Sequence, residues 1–399
     1  MESNRIILHS DLNNFYASVE CLLNPKIKDS PVVVVGDVEK RRGVVLAKNY
    51  IAKSFGIKTG DTVYEAENKC PSNMKLVRLT ARHHIYEKVS KRVQEIYLRY
   101  TDYVEMFGID EAWLDITETA RDYKEALEIA EMIRQEVKEK IGITVSIGVS
   151  YNKIFAKLGS DLKKPDAITL ITQGNFKDKI WGLNVNELLM VGRATTKKLE
   201  KMNILTIGDL AKANVDMLTK YFGVIGKKLW TYANGMDTTA VKLYADRDEI
   251  KSIGNSTTCP RDLNNIKDVT AVFYSLAEQV AYRIRKENRY CREIQIMVRY
   301  NDLSSIEHQC KLPYATDTSK DIATNALSLF MRTCDFHLPI RALGIRLRDF
   351  SEELQTSLLD GAGDIARQEK LDETCTHIRN KYGSNAILRC NNLWGLQTE

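Results

Sequence analysis

The feature that most constrains this chain is an order of hydrophobic periodicities, strand, helix, strand, strand, helix, strand, that occurs twice. In the first occurrence Ile6, Ile7 and Leu8 predict a strand over Arg5–Asp11, and a tight turn leads into a helical stripe at Phe15, Val19 and Leu22. After an interruption the helical repeat Ile85, Val89, Val93, Ile96, Tyr100 begins. Short strands follow at Tyr103–Phe107 and Ala112–Thr117, then a helix over Tyr123–Glu139 and an alternating strand over Ile143–Val149. This is the split βαβ, ferredoxin-like pattern, whose first and third strands form the central pair. The interruption, Leu23 to Thr80 with strands at Val32–Val35 and Val44–Ala47, is then a small inserted lobe. The second occurrence comprises strand Ser252–Thr258, helix Val269–Glu287, strands Glu293–Arg299 and Glu307–Leu312, helix Lys320–Thr333 and strand Ala342–Arg348. Between the two, Asn184–Gly235 reads as short helices with two glycine-bearing turns, Met190-Val191-Gly192-Arg193 and Gly223-Val224-Ile225-Gly226-Lys227. The expected fold is α+β and multidomain.

Length agrees, since 399 residues suit two to four domains of about 100–200 residues each. A composition of 44% hydrophobic and 28% charged residues with only 7 Pro excludes a disordered or collagenous chain. No run approaches the roughly 18 apolar residues of a membrane span, and Met1–Arg5 lacks the start of a signal peptide. A cytoplasmic protein with no membrane partner is expected. The net charge of +5 is compatible with a polyanionic partner without establishing one. The 8 Cys have no Cys-x-x-Cys pair and the 6 His no zinc spacing, so reduced thiols and no structural zinc are predicted.

Chemistry concentrates where the first strand ends beside the turn between the next two. Asp11 stands at one place and Asp110-Glu111 at the other, within FGIDEAWLDIT. Taken singly, each is ordinary turn chemistry. Brought to one edge of one sheet, three carboxylates suit two hard divalent cations, which clamp the attacking and leaving oxygens of phosphoryl transfer. The turn after Asp11 also opens a helix, so backbone N–H groups near Asn13–Phe15 are candidates to hold a triphosphate, unless Asn13 or Asn14 is simply its cap.

Four segments, DLNNFYASVE (Asp11–Glu20), KNYIAKSFGIKTGD (Lys48–Asp61), FGIDEAWLDIT (Phe107–Thr117) and SIGVSYNKIFAKLGSDLKKP (Ser146–Pro165), resemble the motifs of the Y-family translesion DNA polymerases, most closely their UmuC-like bacterial branch. The match runs in order over nearly the whole chain. It implies a right-hand polymerase with a ferredoxin-like βαββαβ palm (1–22 and 81–171), small fingers (23–80) and a helical thumb with helix-hairpin-helix turns (172–240). A linker (241–251), a βαββαβ little finger (252–350) and a C-terminal tail (351–399) complete it. The implied activity is template-directed, error-prone DNA synthesis past damaged bases, with no separate exonuclease domain.

The resemblance makes Asp11, Asp110 and Glu111 the catalytic, metal-binding carboxylates, joined by the Leu12 carbonyl, for two Mg2+ ions that Mn2+ can replace. Tyr16 becomes the steric gate, a ring beneath the sugar that leaves no room for a 2'-hydroxyl, with Phe15 beside it. Tyr50, Lys53 and Lys164 become triphosphate contacts for the dNTP. The sequence departs from the family pattern at Lys53, where many members have Arg, at Asn13, often acidic, at Gly108, usually Ser, and at Met190, usually Gly. The thumb turns, through Gly192, Gly223, Gly226 and Lys227, are expected to bind the primer-template DNA.

In the last sheet Ile294, Ile296 and Val298 alternate with Gln295, Met297 and Arg299, and Leu343, Ile345 and Leu347 with Arg346 and Arg348. One face is core; the other, with Arg299, Arg346 and Arg348, is either a solvated face or one suited to duplex phosphates. Gln355-Thr356-Ser357-Leu358-Leu359 resembles the short peptide by which bacterial polymerases dock on the sliding clamp, with Gln355, Leu358 and Leu359 as anchors. A helical stretch near Ala366–Lys381 follows, without an assigned role, and accessory subunits remain open as further partners. Two rival readings are a polymerase-fold subunit that binds DNA and clamp without catalysing, which the intact carboxylates oppose, and a two-metal nuclease, which the gate and triphosphate positions oppose.

Overall fold

A computed structural model describes residues 5–36, 43–246, 249–352, 362–382 and 386–387; the clamp-docking residues Gln355, Leu358 and Leu359 lie outside them. The chain divides into two compact units at Arg247–Asp248.

The first unit is organised by β1 (Ile7–Leu12), buried along its whole length. α1 (Phe15–Leu23) follows after two residues and buries Phe15, Ala17, Val19 and Glu20. Leu22, expected on the apolar stripe, is instead 41% exposed. The inserted lobe contains β2 (Val32–Val35), β3 (Val45–Lys48), α2 (Tyr50–Ser54), α3 (Val63–Lys69) and β4 (Val77–Thr80). Its sheet has the order β3-β2-β4; β4, paired parallel to β2, is an addition to the two strands expected here. Asn49 sets the lobe's geometry: its Oδ1 accepts from Ala52 N (2.9 Å), capping α2, and from Val32 N (3.1 Å).

The chain returns through α4 (His83–Tyr97), β5 (Val104–Met106), β6 (Glu111–Asp115), α5 (Tyr123–Lys140) and β7 (Val145–Ser150). Two further elements, α6 (Lys153–Leu162) and β8 (Ile168–Ile171), were not foreseen from periodicity. The sheet order is β5-β6-β1-β7-β8, so the first and third strands of the pattern are neighbours as expected and β1 is central. Leu8 and Leu12 point into the core that α4 and α5 close with Val93, Ile96, Ile129 and Ile133, while Ile7 points to the opposite side with Trp113 and Ala156 of α6. Alternation along a strand thus puts His9 and Asp11 on the α6 side. α6 can lie this close because β7 carries Gly148, where a Cβ would fall 1.8 Å from the Ala156 carbonyl oxygen.

α7 (Phe176–Ile180), α8 (Arg193–Glu200), α9 (Ile207–Lys212), α10 (Val215–Phe222) and α11 (Val224–Ala233) form the helical segment around Phe155, Ile180, Leu199, Leu218 and Leu229. Beyond it Val241 is buried with Ile7 and Trp113, Lys242 N donates to Glu105 Oε2 (3.1 Å) and Tyr244 N to Asp102 O (2.9 Å). The early part of the expected 241–251 linker is therefore fastened to the edge of the first sheet.

The second unit contains β9 (Ile253–Leu263), α12 (Ile266–Lys286), β10 (Tyr290–Tyr300), β11 (Ser305–Thr316), α13 (Ser319–Thr333), β12 (Ile340–Ser351) and α14 (Ala362–Tyr382). The order of elements matches the sequence pattern, but the sheet order is β11-β10-β12-β9. Its central strands are the second and fourth rather than the first and third. Ile294, Ile296, Val298, Leu343, Ile345 and Leu347 all face the helices and are buried, as the alternation required. α14 is attached through Asp372, whose carboxylate accepts from Ser319 N (2.8 Å) and Ser319 Oγ (2.9 Å) and pairs with Arg285. Among the described residues no helix is long and apolar enough to cross a membrane.

Candidate active site

Antiparallel pairing of β1 with β6 sets Asp11 directly opposite Glu111. Asp110 precedes Glu111 at the β6 edge, and its carbonyl accepts from Leu12 N (2.9 Å). The turn is reached through Gly108, whose φ of +87° favours glycine over the Ser usual in the family pattern. A cavity of about 350 Å3 opens here. Of the predicted residues, Asp11, Leu12, Phe15, Tyr16, Asp110 and Lys164 line it, together with Lys48 and Thr59, which sequence reasoning had given no role. Glu111, Tyr50 and Lys53 are not part of this lining. Tyr50 is still near enough to feel the charges of Lys164 and Asp11, and Lys53 Nζ lies 5.5 Å from the Tyr50 ring centroid.

The two asparagines have different tasks. Asn13 is buried and structural: Nδ2 donates to Ser146 Oγ (2.9 Å), and Oδ1 accepts from Thr144 Oγ1 (3.0 Å) and Asp166 N (2.9 Å). Its own N–H donates to Thr144 O (2.9 Å), so it is not an anion donor. Asn14 is the N-cap residue of α1, in the left-handed region at φ 48°, and its side chain makes no capping bond. The anion-facing stretch is thereby narrowed to the first turn of α1, whose N–H groups have no intrahelical acceptor.

Tyr16 lies flat on Tyr86, ring centroids 4.2 Å apart with an interplanar angle of 15°. Tyr86 donates through its hydroxyl to Glu20 Oε1 (2.7 Å). Arg82 grips the same carboxylate, with Nε 3.0 Å from Oε1 and Nη2 on Oε2. Glu20 is 3% exposed, and a carboxylate so placed is tolerable only because both oxygens are satisfied.

Electrostatics divide the three carboxylates. Burial pushes Asp11 up to about 6, against the pull of Lys164; burial and then the charge of Glu111 push Asp110 up. Glu111 is half-buried, which also pushes upward, but His9 and the Lys157 ammonium outweigh that and hold it at about 2. His9 is wholly buried, with Nδ1 2.8 Å from Ser160 Oγ and Nε2 3.2 Å from Glu111 Oε2. Neither His9 nor Lys157 was singled out from the sequence. His9 stands two residues before Asp11 on one strand, which was signal enough to place it on the same face; Lys157 sits on the helix that periodicity did not reveal.

Among the described residues no three His, Cys, Asp or Glu side chains converge as a ready metal-binding group; Asp11 is paired with Lys164 and Glu111 with Lys157. The donor set nonetheless fits hard cations. It is all oxygen, and burial holds Asp11 and Asp110 above the usual carboxylate range, a penalty on their charge that a divalent ion would offset.

The predicted DNA contacts fall in two places. In the helical segment Met190 adopts φ 73°, the left-handed conformation that glycine would take without strain, and Gly192 caps α8. Gly223 has φ 64°, a Cβ on Gly226 would sit 2.1 Å from Leu218 O, and Lys227 is exposed. In the second unit Arg299, Arg346 and Arg348 are exposed on one sheet face. That face is less basic than the alternation suggested, since Arg348 pairs with Glu293 at 3.4 Å and Arg346 is 3.2 Å from Gln295, which donates to Glu307 (2.7 Å).

A carboxylate-edged split βαβ sheet, a small lobe over it, a hairpin-bearing helical segment and a separate antiparallel sheet unit define the class of template-dependent nucleotidyl transferases. Comparison with known proteins sharpens this. Residues 10–161 match the impB/mucB/samB family, 250–358 its C-terminal domain, and 187–237 the thumb domain of DNA polymerase iota. The chain is 48% identical to DNA polymerase IV of Acetivibrio thermocellus, covering 96% of each chain. It is 38% identical to DNA polymerase IV of Clostridium acetobutylicum, over 97% of this chain and 98% of that one. A solved Y-family DNA polymerase chimera of Dbh and Dpo4 superposes with a TM-score of 0.76 at 26% identity, covering 87% of this chain and 100% of that one. The protein belongs to the Y-family DNA polymerases of the DinB/UmuC superfamily.

Proposed function

We propose that this protein is a DNA-directed DNA polymerase that carries out error-prone translesion synthesis, with residues 1–22 and 81–171 as palm, 23–80 as fingers, 172–240 as thumb and 252–350 as little finger. The observation that carries this reading is the register of β1 against β6, which sets Asp11 opposite Glu111 with Asp110 at the strand end, over a cavity that Tyr16 and Lys164 also line.

In this reading Asp11, Asp110, Glu111 and the Leu12 carbonyl hold two divalent cations, Mg2+ in the cell and Mn2+ as a substitute. Bound there, the cations lower the charge barrier between the primer 3'-oxygen and the α-phosphate. The chain's own groups do the rest. Lys164, with Tyr50, Lys53 and the first turn of α1, binds the dNTP triphosphate. Lys48 adds a cation the sequence had not singled out. Tyr16, backed by Tyr86, meets the sugar where a 2'-hydroxyl would project. The hairpins at Met190–Arg193 and Gly223–Lys227 and the exposed Arg299, Arg346 and Arg348 engage the primer-template backbone, contacts that position without reading sequence. Gln355, Leu358 and Leu359 dock on a sliding clamp, and the work is done in the cytoplasm.

Primer extension with Mg2+ and all four dNTPs tests the proposal. Asp11→Asn, Asp110→Asn and Glu111→Gln are each expected to abolish nucleotide incorporation nearly completely while DNA binding survives, because cation ligation rather than packing is lost. Full incorporation by all three variants refutes the assignment.

A further inference from the structure

The carboxylates that face each other across β1 and β6 are each already met by an ammonium group. Lys164 Nζ lies 2.7 Å from Asp11 Oδ2 and 2.9 Å from Asp161 Oδ1, and Lys157 pairs with Glu111. The two lysines differ in what they can do next. Lys157 is only 15% exposed and its Nζ is 5.3 Å from the centroid of the Phe107 ring, whereas Lys164 is 22% exposed and lines the cavity itself.

The backbone that presents Lys164 is firmly placed. Asp166 N donates to Asn13 Oδ1 (2.9 Å), and the Asp166 carboxylate is held by Arg134 Nη1 (2.5 Å) and Lys138 Nζ (2.8 Å). What remains adjustable is the lysine side chain beyond this anchor. It has two acceptors, one buried at the carboxylate cluster and one, Asp161, 43% exposed on α6, so it can leave Asp11 without becoming unpaired.

An ammonium at 2.7 Å from Asp11 Oδ2 stands where a hard cation at about 2.0–2.1 Å from that oxygen would be its close neighbour. Two positive charges so near repel, and they compete for the one carboxylate. We infer that Lys164 is an internal counter-ion on Asp11 that must leave before a divalent cation binds there, and that an incoming triphosphate draws it away, so that cation and nucleotide load together. This rests on reading Asp11 as a cation ligand and Lys164 as a triphosphate contact. Before nucleotide arrives the lysine keeps a buried carboxylate compensated; afterwards the same charge serves the phosphates. Linkage makes the coupling reciprocal: nucleotide tightens cation binding by the factor by which cation tightens nucleotide binding.

The test is binding of Mn2+ to the full chain without DNA, followed by the electron paramagnetic resonance of free Mn2+, with and without dATP, the Mn2+ taken up by dATP alone being measured without protein and subtracted. Lys164→Met is expected to bind nucleotide-free Mn2+ roughly two- to fivefold more tightly than the parent, the upper part of the span for a partly exposed ion pair removed. Lys164→Arg keeps a cation on Asp11 and is expected to stay at the parent's affinity. The factor by which dATP tightens Mn2+ binding should shrink in Lys164→Met. A folded Lys164→Met protein that binds Mn2+ no better than the parent, while Asp11→Asn loses the ion, overturns the inference and leaves the ligand reading standing. If Asp11→Asn binds Mn2+ as the parent does, the ligand reading and the inference fall together.

Discussion

Gly148 is the position at which the catalytic sheet can be disturbed most directly without touching a predicted catalytic group. A methyl group there would lie 1.8 Å from Ala156 O and 2.6 Å from Ser160 N, both backbone atoms of α6. To restore an ordinary contact of 3.4 Å the helix must retreat by about 1.6 Å. Neighbouring side chains cannot absorb this by changing rotamer, because the obstacle is main chain. Overpacking of this kind costs roughly 1–3 kcal/mol, and a backbone clash belongs at the upper end. For a unit of this size about 3 kcal/mol lowers the melting temperature by roughly 6–12 °C. The same movement carries Lys157 and Ser160 away from Glu111 and His9, and misplacement of about 1 Å near reacting groups can cost around 100-fold in rate. Gly148→Ala should therefore show both effects in a thermal melt and in single-nucleotide insertion kinetics. Gly182→Ala, with nothing within 4 Å of its Cβ, is the matched control and should show neither. If Gly148→Ala melts and inserts like the parent, α6 does not depend on that close approach and the account of how Lys157 reaches Glu111 is wrong.

Tyr16→Ala is expected to admit ribonucleotides, and an unchanged preference for dATP over ATP in single insertions removes Tyr16 from the gate. Replacing Arg299, Arg346 or Arg348 by Ala should flatten the log-log salt dependence of duplex affinity by about 0.9 per lost phosphate contact, independent of base sequence; an unchanged slope means these arginines are solvent-facing only. Alanine at Gln355, Leu358 and Leu359 together should abolish stimulation of long-product synthesis by a sliding clamp while sparing basal insertion, since tethering raises local concentration without altering chemistry. Equal stimulation of variant and parent disposes of the docking motif.

How much of this was legible in the sequence depended on whether a contact is local. Period-two alternation placed Ile294, Ile296 and Val298 on the buried face of β10, and the split βαβ order brought Asp11 beside Asp110-Glu111 before any coordinate was known. α6 carries a helical period, with Lys153, Lys157 and Asp161 four residues apart and Ile154, Phe155, Ala156, Leu158, Gly159 and Ser160 buried between them, but it is short and its glycine and serine are weak helix formers. The strand order of the second sheet was equally out of reach, since which strand lies between which is decided by packing across tens of residues and not by any window of them. At the site the carboxylates were legible and their partners were not. The motif resemblance marks Lys164 as a phosphate ligand, but its bond to Asp11 joins residues far apart in sequence, beyond the reach of any local pattern.

The arrangement behind Tyr16 bears on what a gate of this kind can achieve. Exclusion by contact discriminates only as far as the obstructing ring resists being pushed aside: a thousandfold preference needs a wall that yields for no less than about 4 kcal/mol. A phenol ring standing alone in a cavity could tilt for far less. Here the ring lies against Tyr86, Tyr86 is pinned by its hydroxyl, and the pin is a carboxylate clasped by Arg82, so deforming the gate means breaking buried charge-assisted hydrogen bonds. On the role proposed for Tyr16, sugar selectivity would be a mechanical property, its stiffness supplied by Glu20 and Arg82 rather than by the ring that meets the nucleotide.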